Sequence, residues 1–494
     1  METIIQLFQP SVILFMLLGT FLGLFIGALP GLTATMGVAV LTPLTFWLAP
    51  SEGLAMLIAI YCTAIFASGI PAILVNTPGT PASVATTFDG YKLTQQGRAG
   101  VAMGINAIYS GLGGLVSTVF LIVAAMPLSR VALSFGPAEY FALAVFGLSI
   151  MISVASNSII KGLISGAIGL FIVTIGLDPI LNIPRFTYGH PLLLEGFSFI
   201  PIMIGLFGLG EVFNQILSKN QNIHVKSREI GRIIPNKKER KEIRKPFILS
   251  SLLSTFIGVI PGAGGDIASF ISWQQSKNLA KGKRKKEYGH GSLGGLTASV
   301  TSNNAVIGGA FTTMMTLGLP GDAVTAILIG SLMMYGLDPG PALFTDHLDM
   351  VHLIFGLLIV ANILVIIVGL FGAKLFSQVM RVKQEFIWVS VVIFCVIGAY
   401  AINNSYFDVW VMAIAGLFGL LFKRLEIPLG PLILALILGP MAESNFRRSL
   451  VISQDAGLMI FFTSPIALIL LIIAFLSMVI PIVRKLLNNK KAIN

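Results

Sequence analysis

A chain of 494 residues with 55% hydrophobic and only 11% charged residues, and a mean hydropathy of +0.90, is not a water-soluble domain. Apolar runs of roughly 20 residues, long enough to cross a bilayer, recur from end to end and predict an all-α polytopic membrane protein with about ten to twelve crossings or half-crossings. The net charge of +11 does not imply nucleic acid: 20 of the 32 Lys and Arg fall in segments 218–246, 277–287 and 484–491, beside apolar runs, as on a cytoplasmic face.

The first two apolar segments, 11–29 and 33–49, meet at Phe25-Ile26-Gly27-Ala28-Leu29-Pro30-Gly31. Proline removes a backbone donor and glycine permits bent backbone, so this pair predicts a broken helix or hairpin at membrane depth. The first residues lack a basic start and a small-residue cleavage site, so the first run reads as a retained membrane segment. The loop Ala49-Pro50-Ser51-Glu52-Gly53 has no positive charge and reads as external. A third run, 54–75, leads into Asn76-Thr77-Pro78-Gly79-Thr80-Pro81, and the polar stretch from Asp89 to Arg98 carries Lys and Arg and reads as cytoplasmic. Segments near 101–127, 138–155, 160–177 and 199–217 then alternate across the bilayer, placing 178–196 outside and the basic linker 218–246 inside. Cys62 and Cys395 lie in apolar segments and read as packing residues.

The second half opens with 247–276, flanked by basic segments and too short for two crossings at ~20 residues each. It reads as a hairpin that enters and leaves on one side, turning at Phe256-Ile257-Gly258-Val259-Ile260-Pro261-Gly262, which matches the first box at five of seven positions. Segment 291–310 crosses outward and Leu317-Gly318-Leu319-Pro320-Gly321 is a further break. The loop after it holds Asp338, Asp346, His347 and Asp349 but no Lys or Arg, and reads as external. Segments near 350–372, 386–402, 409–422, 427–441 and 455–483 bring a basic C-terminus to the cytoplasmic side, with Arg447 and Arg448 on the outer side against the charge rule. The Pro-Gly pairs at 30 and 78 correspond in order to those at 261 and 320, while the loops that follow carry opposite charge bias. The chain therefore reads as two inverted-topology repeats, 1–217 and 247–494, with Pro-Gly-broken helices or re-entrant hairpins, joined by the linker 218–246.

Irregular backbone at membrane depth survives only under protein cover or along a wet cavity, so paired interruptions point to a transport site. Helix N-termini gathered at four breaks favour an anion such as a carboxylate. Candidate substrate-binding residues are Pro30, Gly31, Thr33 and Thr35 at the first break and Asn76, Thr77, Pro78, Gly79 and Thr80 at the second. Pro261, Gly262 and Gly264 follow at the third and Pro320 and Gly321 at the fourth, with Asn303 and Asn304 beside them. Asp266, Asp322, Ser302 and Asn303, with carbonyls freed by the breaks, are candidates to hold a coupling cation. Blander readings stand beside these: Pro-Gly pairs also serve helix packing, Asp266 and Asp322 suit helix-start caps, and Asn303-Asn304 can bridge neighbouring helices. None of His190, His224, His290, His347 and His352 has metal-ligand spacing with another His or Cys, so no metal site is expected. Arg185 reads either as an external contact for an acidic group or as a solvated loop charge. An intramembrane enzyme has little support, because Gly264-Gly265-Asp266 lacks the glycine an aspartyl protease needs at Ala263 and no HExxH, nucleophile elbow or phosphate loop occurs.

At these boxes the sequence resembles the large membrane subunit of the tripartite tricarboxylate transporter family. The resemblance spans nearly the whole chain and rests on Gly27-Ala28-Leu29-Pro30-Gly31, Pro78-Gly79-Thr80-Pro81-Ala82, Asp89-Gly90-Tyr91, Gly97-Arg98-Ala99 and Arg185-Phe186-Thr187-Tyr188-Gly189. It continues through Gly205-Leu206-Phe207, Pro261-Gly262-Ala263-Gly264, Asn303-Asn304-Ala305, Leu317-Gly318-Leu319-Pro320-Gly321 and Gly340-Pro341. It implies a multi-pass bacterial inner-membrane importer of carboxylates such as citrate, driven by a sodium or proton gradient, with no other cofactor. It further implies a small four-helix membrane subunit and a periplasmic binding protein as partners; a stand-alone organic-anion transporter is the alternative. The chain departs from the family pattern at Gly294 and Val300, where acidic residues are usual, at Trp273 in place of a tyrosine, and at Thr313 near a usual proline.

Overall fold

The computed structural model describes residues 2–29, 31–154, 158–217, 231–372, 384–453 and 457–493, nearly all of them helical. Pro30 and linker residues 218–230 lie outside the described residues. After a short α1 (Glu2–Leu7), α2 (Pro10–Ala28) runs to the first break and α3 (Ala34–Thr45) leaves it. α4 (Pro50–Ala67) and α5 (Gly69–Val75) lead to the second break, from which α6 (Val84–Gln95) departs before the long α7 (Ala99–Ala132). There follow α8 (Pro137–Val154), α9 (Ile159–Val173), an antiparallel pair of two-residue strands, β1 (Gly176–Leu177) and β2 (Pro184–Arg185), and α10 (Phe199–Met203), which passes through a π-helical stretch, Ile204–Leu209, into α11 (Gly210–Leu217). The opening order then recurs. α12 (Lys237–Val259) reaches the third break, α13 (Gly264–Leu279) leaves it, and after α14 (Lys283–Glu287) the long α15 (Leu293–Leu317) leads to the fourth. From there run α16 (Ala323–Met334), α17 (Leu343–Asp346) and α18 (Leu348–Phe371). The chain closes with α19 (Gln384–Asn403), α20 (Tyr406–Arg424), α21 (Gly430–Ser453), α22 (Ile460–Thr463) and α23 (Pro465–Ile493).

Local chemistry sets these boundaries. Pro10 and Pro50 stand at the first positions of α2 and α4, where a missing N–H costs nothing. α12 begins inside the basic linker because Asn236 and Glu239 cap it reciprocally, each side chain accepting the other's backbone N–H at 2.8 and 2.6 Å. α5 and α15 end on residues in the left-handed conformation, Asn76 (φ 60°) and Gly318 (φ 69°), each two residues ahead of the Pro of its break. α3 and α16 start on Thr33 and Asp322, whose side chains accept the N–H of Met36 and Thr325 at 3.1 and 2.8 Å.

Seven described helices or helix pairs are long and apolar enough to cross a membrane, and the Gly457–Thr463 and Pro465–Ile480 helices, bent by 89°, make an eighth if counted as one span. The polarity is that of a membrane protein: Phe21, Val123, Ile160, Phe371 and Trp410 are each more than 50% exposed on the outside, while α15 is buried along almost its whole length despite Thr297, Ser299, Thr301, Ser302, Asn303 and Asn304. Several of those groups bond to neighbouring helices: Ser299 accepts from Thr86 at 3.2 Å, Ser302 donates to the Ala268 carbonyl at 3.2 Å and Asn304 to the Cys62 carbonyl at 3.2 Å. α2 packs on α4 and α12 on α15; α7 lies against α15 and α18 against α4 and α7. The short helices cross between halves, α3 against α16 and α13 against α6 and the turn Pro81–Ser83.

These seams depend on missing side chains. A methyl group on Gly27 would stand 2.2 Å from the Ala64 carbonyl oxygen, and one on Gly258 2.3 Å from that of Val306. Gly27→Ala and Gly258→Ala are each expected to cost about 1–3 kcal/mol by overpacking and to lower the melting temperature in detergent, whereas Gly231→Ala, with nothing within 4 Å, leaves it unchanged. An unaltered melt for Gly258→Ala would show that the α12–α15 seam is not this tight.

Candidate functional site

Residues from all four breaks line one cavity of about 750 Å³. Thr33, Ala34 and Thr35 come from the start of α3, Thr80 to Ala82 from the turn before α6, Gly262 to Ile267 from the start of α13, and Asp322 to Val324 from the start of α16. Asn303 and Val306 of α15 line it too, as do Phe207, Glu211, Gly419, Lys423 and 427–430. The third break touches the second and the fourth. The Gly262 N–H donates to the Gly321 carbonyl at 2.8 Å, and a Cβ on Gly265 would lie 3.2 Å from that of Ala82. Gly262 has φ +77°, a conformation that a side chain strains, and a Cβ there would meet the Met151 sulfur at 2.0 Å.

Two carboxylates at the breaks line this space. Asp322 caps α16 through Oδ1 and accepts the Tyr61 hydroxyl through Oδ2, and Asp266, in the first turn of α13, is open to the cavity. Asn303 is 3% exposed, lines the cavity, and has no partner for its Oδ1. The cavity thus gathers Thr33, Thr35, Thr80, Gly262, Gly264, Asp266, Asn303 and Asp322 of the sequence candidates. The others sit nearby in other roles. Asn76 and Thr77 end α5, both N–H groups pointing at the Pro71 carbonyl. Pro78, Pro261 and Pro320 shape their turns without lining the cavity; Gly31 lies against Gln215, Gly79 against Gly27 and Ser68, and Gly321 against Ala310 and Gly258. Ser302 bonds to Ser254 and the Ala268 carbonyl, and Asn304 to Cys62, so both stitch helices together. Among the described residues no group of three or more His, Cys, Asp or Glu is placed to hold a metal ion.

The model of the tripartite tricarboxylate transporter TctA family matches residues 13–434. The chain belongs to the TctA family. It is 35% identical over 481 residues to the 52.8 kDa protein in the TAR-I ttuC' 3'region of Agrobacterium vitis, covering 97% of this chain and 95% of that protein. It is also 34% identical over 217 residues to the protein in the TAR-II ttuC' 3'region of the same organism, covering 44% of this chain and 88% of that protein. No solved structure matches it. As a TctA protein it is a multi-pass component of a membrane transporter.

Two TctA boxes turn out to hold the architecture from outside the cavity. Asp89 was expected in a polar loop; it lies in α6, 0% exposed, and accepts four hydrogen bonds. Its Oδ1 takes the N–H groups of Gly289, Gly291 and Ser292 at 2.9, 3.0 and 2.8 Å, and its Oδ2 takes the Trp273 indole N–H at 2.8 Å. Arg185 is neither solvated nor free: it forks onto Glu443 at 2.5 and 3.2 Å and lies 3.5 Å from Asp178. Arg447, which offended the charge rule, completes the cluster by bonding Asp178 at 2.7 Å and Glu443 at 2.8 Å. The amides of Leu181 and Ile180, then Arg447, pull the Asp178 carboxyl down to about 2. Tyr61, Asp89, Glu211 and Lys423 escaped the sequence candidates. For Tyr61 a signal existed, since it stands as far ahead of Pro78 as Asn303 stands ahead of Pro320.

Asp89→Asn keeps one acceptor but turns an amide N–H₂ toward the Trp273 donor, an expected loss of about 1–3 kcal/mol. Adding Trp273→Phe should restore part of it, and strictly additive melting shifts would disprove the pairing. Because the Asp178 pKa is lowered, its contribution is complete above the ordinary carboxylate value of ~4 and is lost as pH falls through about 2. Amide exchange across 176–196, corrected for intrinsic rates, should therefore stay flat from neutral pH to about 4 and rise only below it; Asp178→Asn should raise it throughout.

Proposed function

We propose that this chain is the large permease subunit of a binding-protein-dependent importer of tricarboxylates or related carboxylates, and that the anion binds in the cavity between the four breaks. The observation that carries the reading is the convergence there of helix starts from all four breaks; the buried, unpartnered Asn303 Oδ1 beside them is an acceptor, suited to the coupling cation. Helix N-termini attract anions, but each is worth only ~0.3–2 kcal/mol. A carboxylate repels another by about 4 kcal/mol at 4 Å and an effective dielectric of 20. With Asp266 and Asp322 both ionised, their repulsion offsets the pull of the helix starts and weakens anion binding. A cation bound at Asp266 and Asp322, either Na+ or H+, reverses that balance, which makes cation and carboxylate bind together and ties uptake to an ion gradient.

In this reading the repeated order of helices reflects two inverted repeats, and alternating access moves the break-bearing helices against the rest. The basic ends face the cytoplasm of a bacterial inner membrane, C-terminus included. A small membrane subunit and a periplasmic binding protein complete the complex. Uptake of labelled citrate and succinate into proteoliposomes holding the complex, with sodium and proton gradients imposed separately, tests it. One gradient should drive uptake, and Asp266→Asn and Asn303→Ala should each cut the gradient-driven rate about tenfold or more while reaching the membrane. Full uptake by both variants would remove the site; uptake indifferent to either gradient would remove the coupling.

A further inference from the structure

The cavity is lined by four charged side chains, Glu211, Asp266, Asp322 and Lys423, and Lys423 is the one cation among the described lining residues. It stands in the last turn of α20 with its side chain 47% exposed, paired with Glu211, which is 14% exposed and also held by the Gln215 amide at 2.8 Å. The backbone fixes this pair in place. A Cβ on Gly205 would lie 2.3 Å from the Met412 carbonyl oxygen and one on Gly419 2.6 Å from that of Leu206, so α20 and the π-helical stretch touch main chain to main chain. Lys423 lies one turn beyond Gly419 and Glu211 directly follows Gly210, and both glycines line the cavity. The ion pair therefore sits on the cavity wall with Lys423 half-exposed, and Gln215, which holds Glu211, also lies against Gly31 of the first break.

Resting on the carboxylate-site reading above, we infer that Lys423 recognises one carboxylate of the substrate at the cavity wall, accepting it in exchange for Glu211, and so selects acids carrying more than one carboxylate. Replacing one carboxylate by another keeps the ammonium paired, whereas a neutral group would leave it unpaired after the exchange. A monocarboxylate meets either the helix starts or Lys423; an acid with carboxylates at both ends meets both. Glu211 holds Lys423 when no substrate is present and takes it back on release, so the anion is not trapped.

The test compares uptake of citrate, succinate and propionate by the reconstituted complex for the wild type, Lys423→Gln, Lys423→Arg, Glu211→Gln and the double variant Lys423→Gln/Glu211→Gln. Lys423→Gln should raise the KM for citrate and succinate about tenfold or more with a much smaller change for propionate, and Lys423→Arg should retain most of the preference. The double variant should remain impaired. Recovery of wild-type KM by the double variant would mean that Lys423 only masks Glu211, and would overturn the inference. So would an equal loss of maximal rate for every acid at unchanged KM, the mark of a structural role. Wild-type transport of citrate or succinate with Lys423→Gln indistinguishable from it would overturn the inference alone, while wild-type uptake of none of the three acids would overturn the carboxylate reading beneath it.

Discussion

An amide or carbonyl that leaves a helix inside a bilayer has no water to bond, and leaving it unmatched costs several kcal/mol. This chain breaks its helices at four places, so it must supply partners from its own backbone. It does so by letting breaks satisfy one another and their supporting helices: Gly262 N–H to the Gly321 carbonyl at 2.8 Å, Gly79 N–H to the Ser68 carbonyl at 3.3 Å, Thr77 N–H to the Pro71 carbonyl at 3.3 Å and Leu319 N–H to the Thr313 carbonyl at 3.3 Å. Such contacts require main chains to approach closely, which explains the glycines. The demand also forces the breaks into the protein interior, where four helix starts meet around one cavity rather than facing lipid.

The two halves solve this with matched positions. A Cβ on Gly79 would lie 2.7 Å from the Gly27 carbonyl oxygen, and one on Gly321 2.7 Å from that of Gly258. Gly27 and Gly258 each precede their Pro-Gly pair by the same distance, and Asn76 and Gly318 share both position and left-handed backbone. At these positions the backbone matches while the side-chain chemistry differs. Thr80 stands where the second half has Asp322, Thr35 where it has Asp266, and Tyr61 where it has Asn303. At these matched positions the first half thus brings hydroxyls and the second brings the acids Asp266 and Asp322. Of the matched positions, those at the starts of α13 and α16 carry the charge.

How far the sequence revealed this follows from what kind of signal each residue carries. The Pro-Gly boxes were legible because proline and glycine report backbone geometry directly, and the grouping of Thr33, Thr80, Gly262, Asp266, Asn303 and Asp322 around one cavity follows from where those breaks meet. Asn76 and Ser302 looked like ligands because amides and hydroxyls suit both ligand binding and helix joining, and only the direction of the side chain separates the two. Asp89 was read as loop because a lone acid beside Lys92 and Arg98 reads as solvated, and the four donors that bury it come from residues about two hundred positions away. Glu211 and Lys423 carry no local motif at all. They matter through a seam of glycines on α20 and the π-helical stretch, a pairing between distant segments that periodicity cannot announce.

Asp89 also limits how the cavity can open. It sits on α6, which leaves the second break, and its donors sit on α13 and on the loop between α14 and α15, the chain that leaves the third. Hydrogen bonds to a charged group are worth about 1.5–3 kcal/mol each, and parting these elements would strand a buried carboxylate along with four donors. No single helix-dipole attraction at the cavity, at ~0.3–2 kcal/mol, could drive that separation. Binding energy of that size can move only contacts of comparable strength, so these bonds hold the second and third breaks to one another. Relative motion is left to weaker seams, such as the apolar packing of α3, α8 and α21 around the cavity and the wall where Lys423 trades partners.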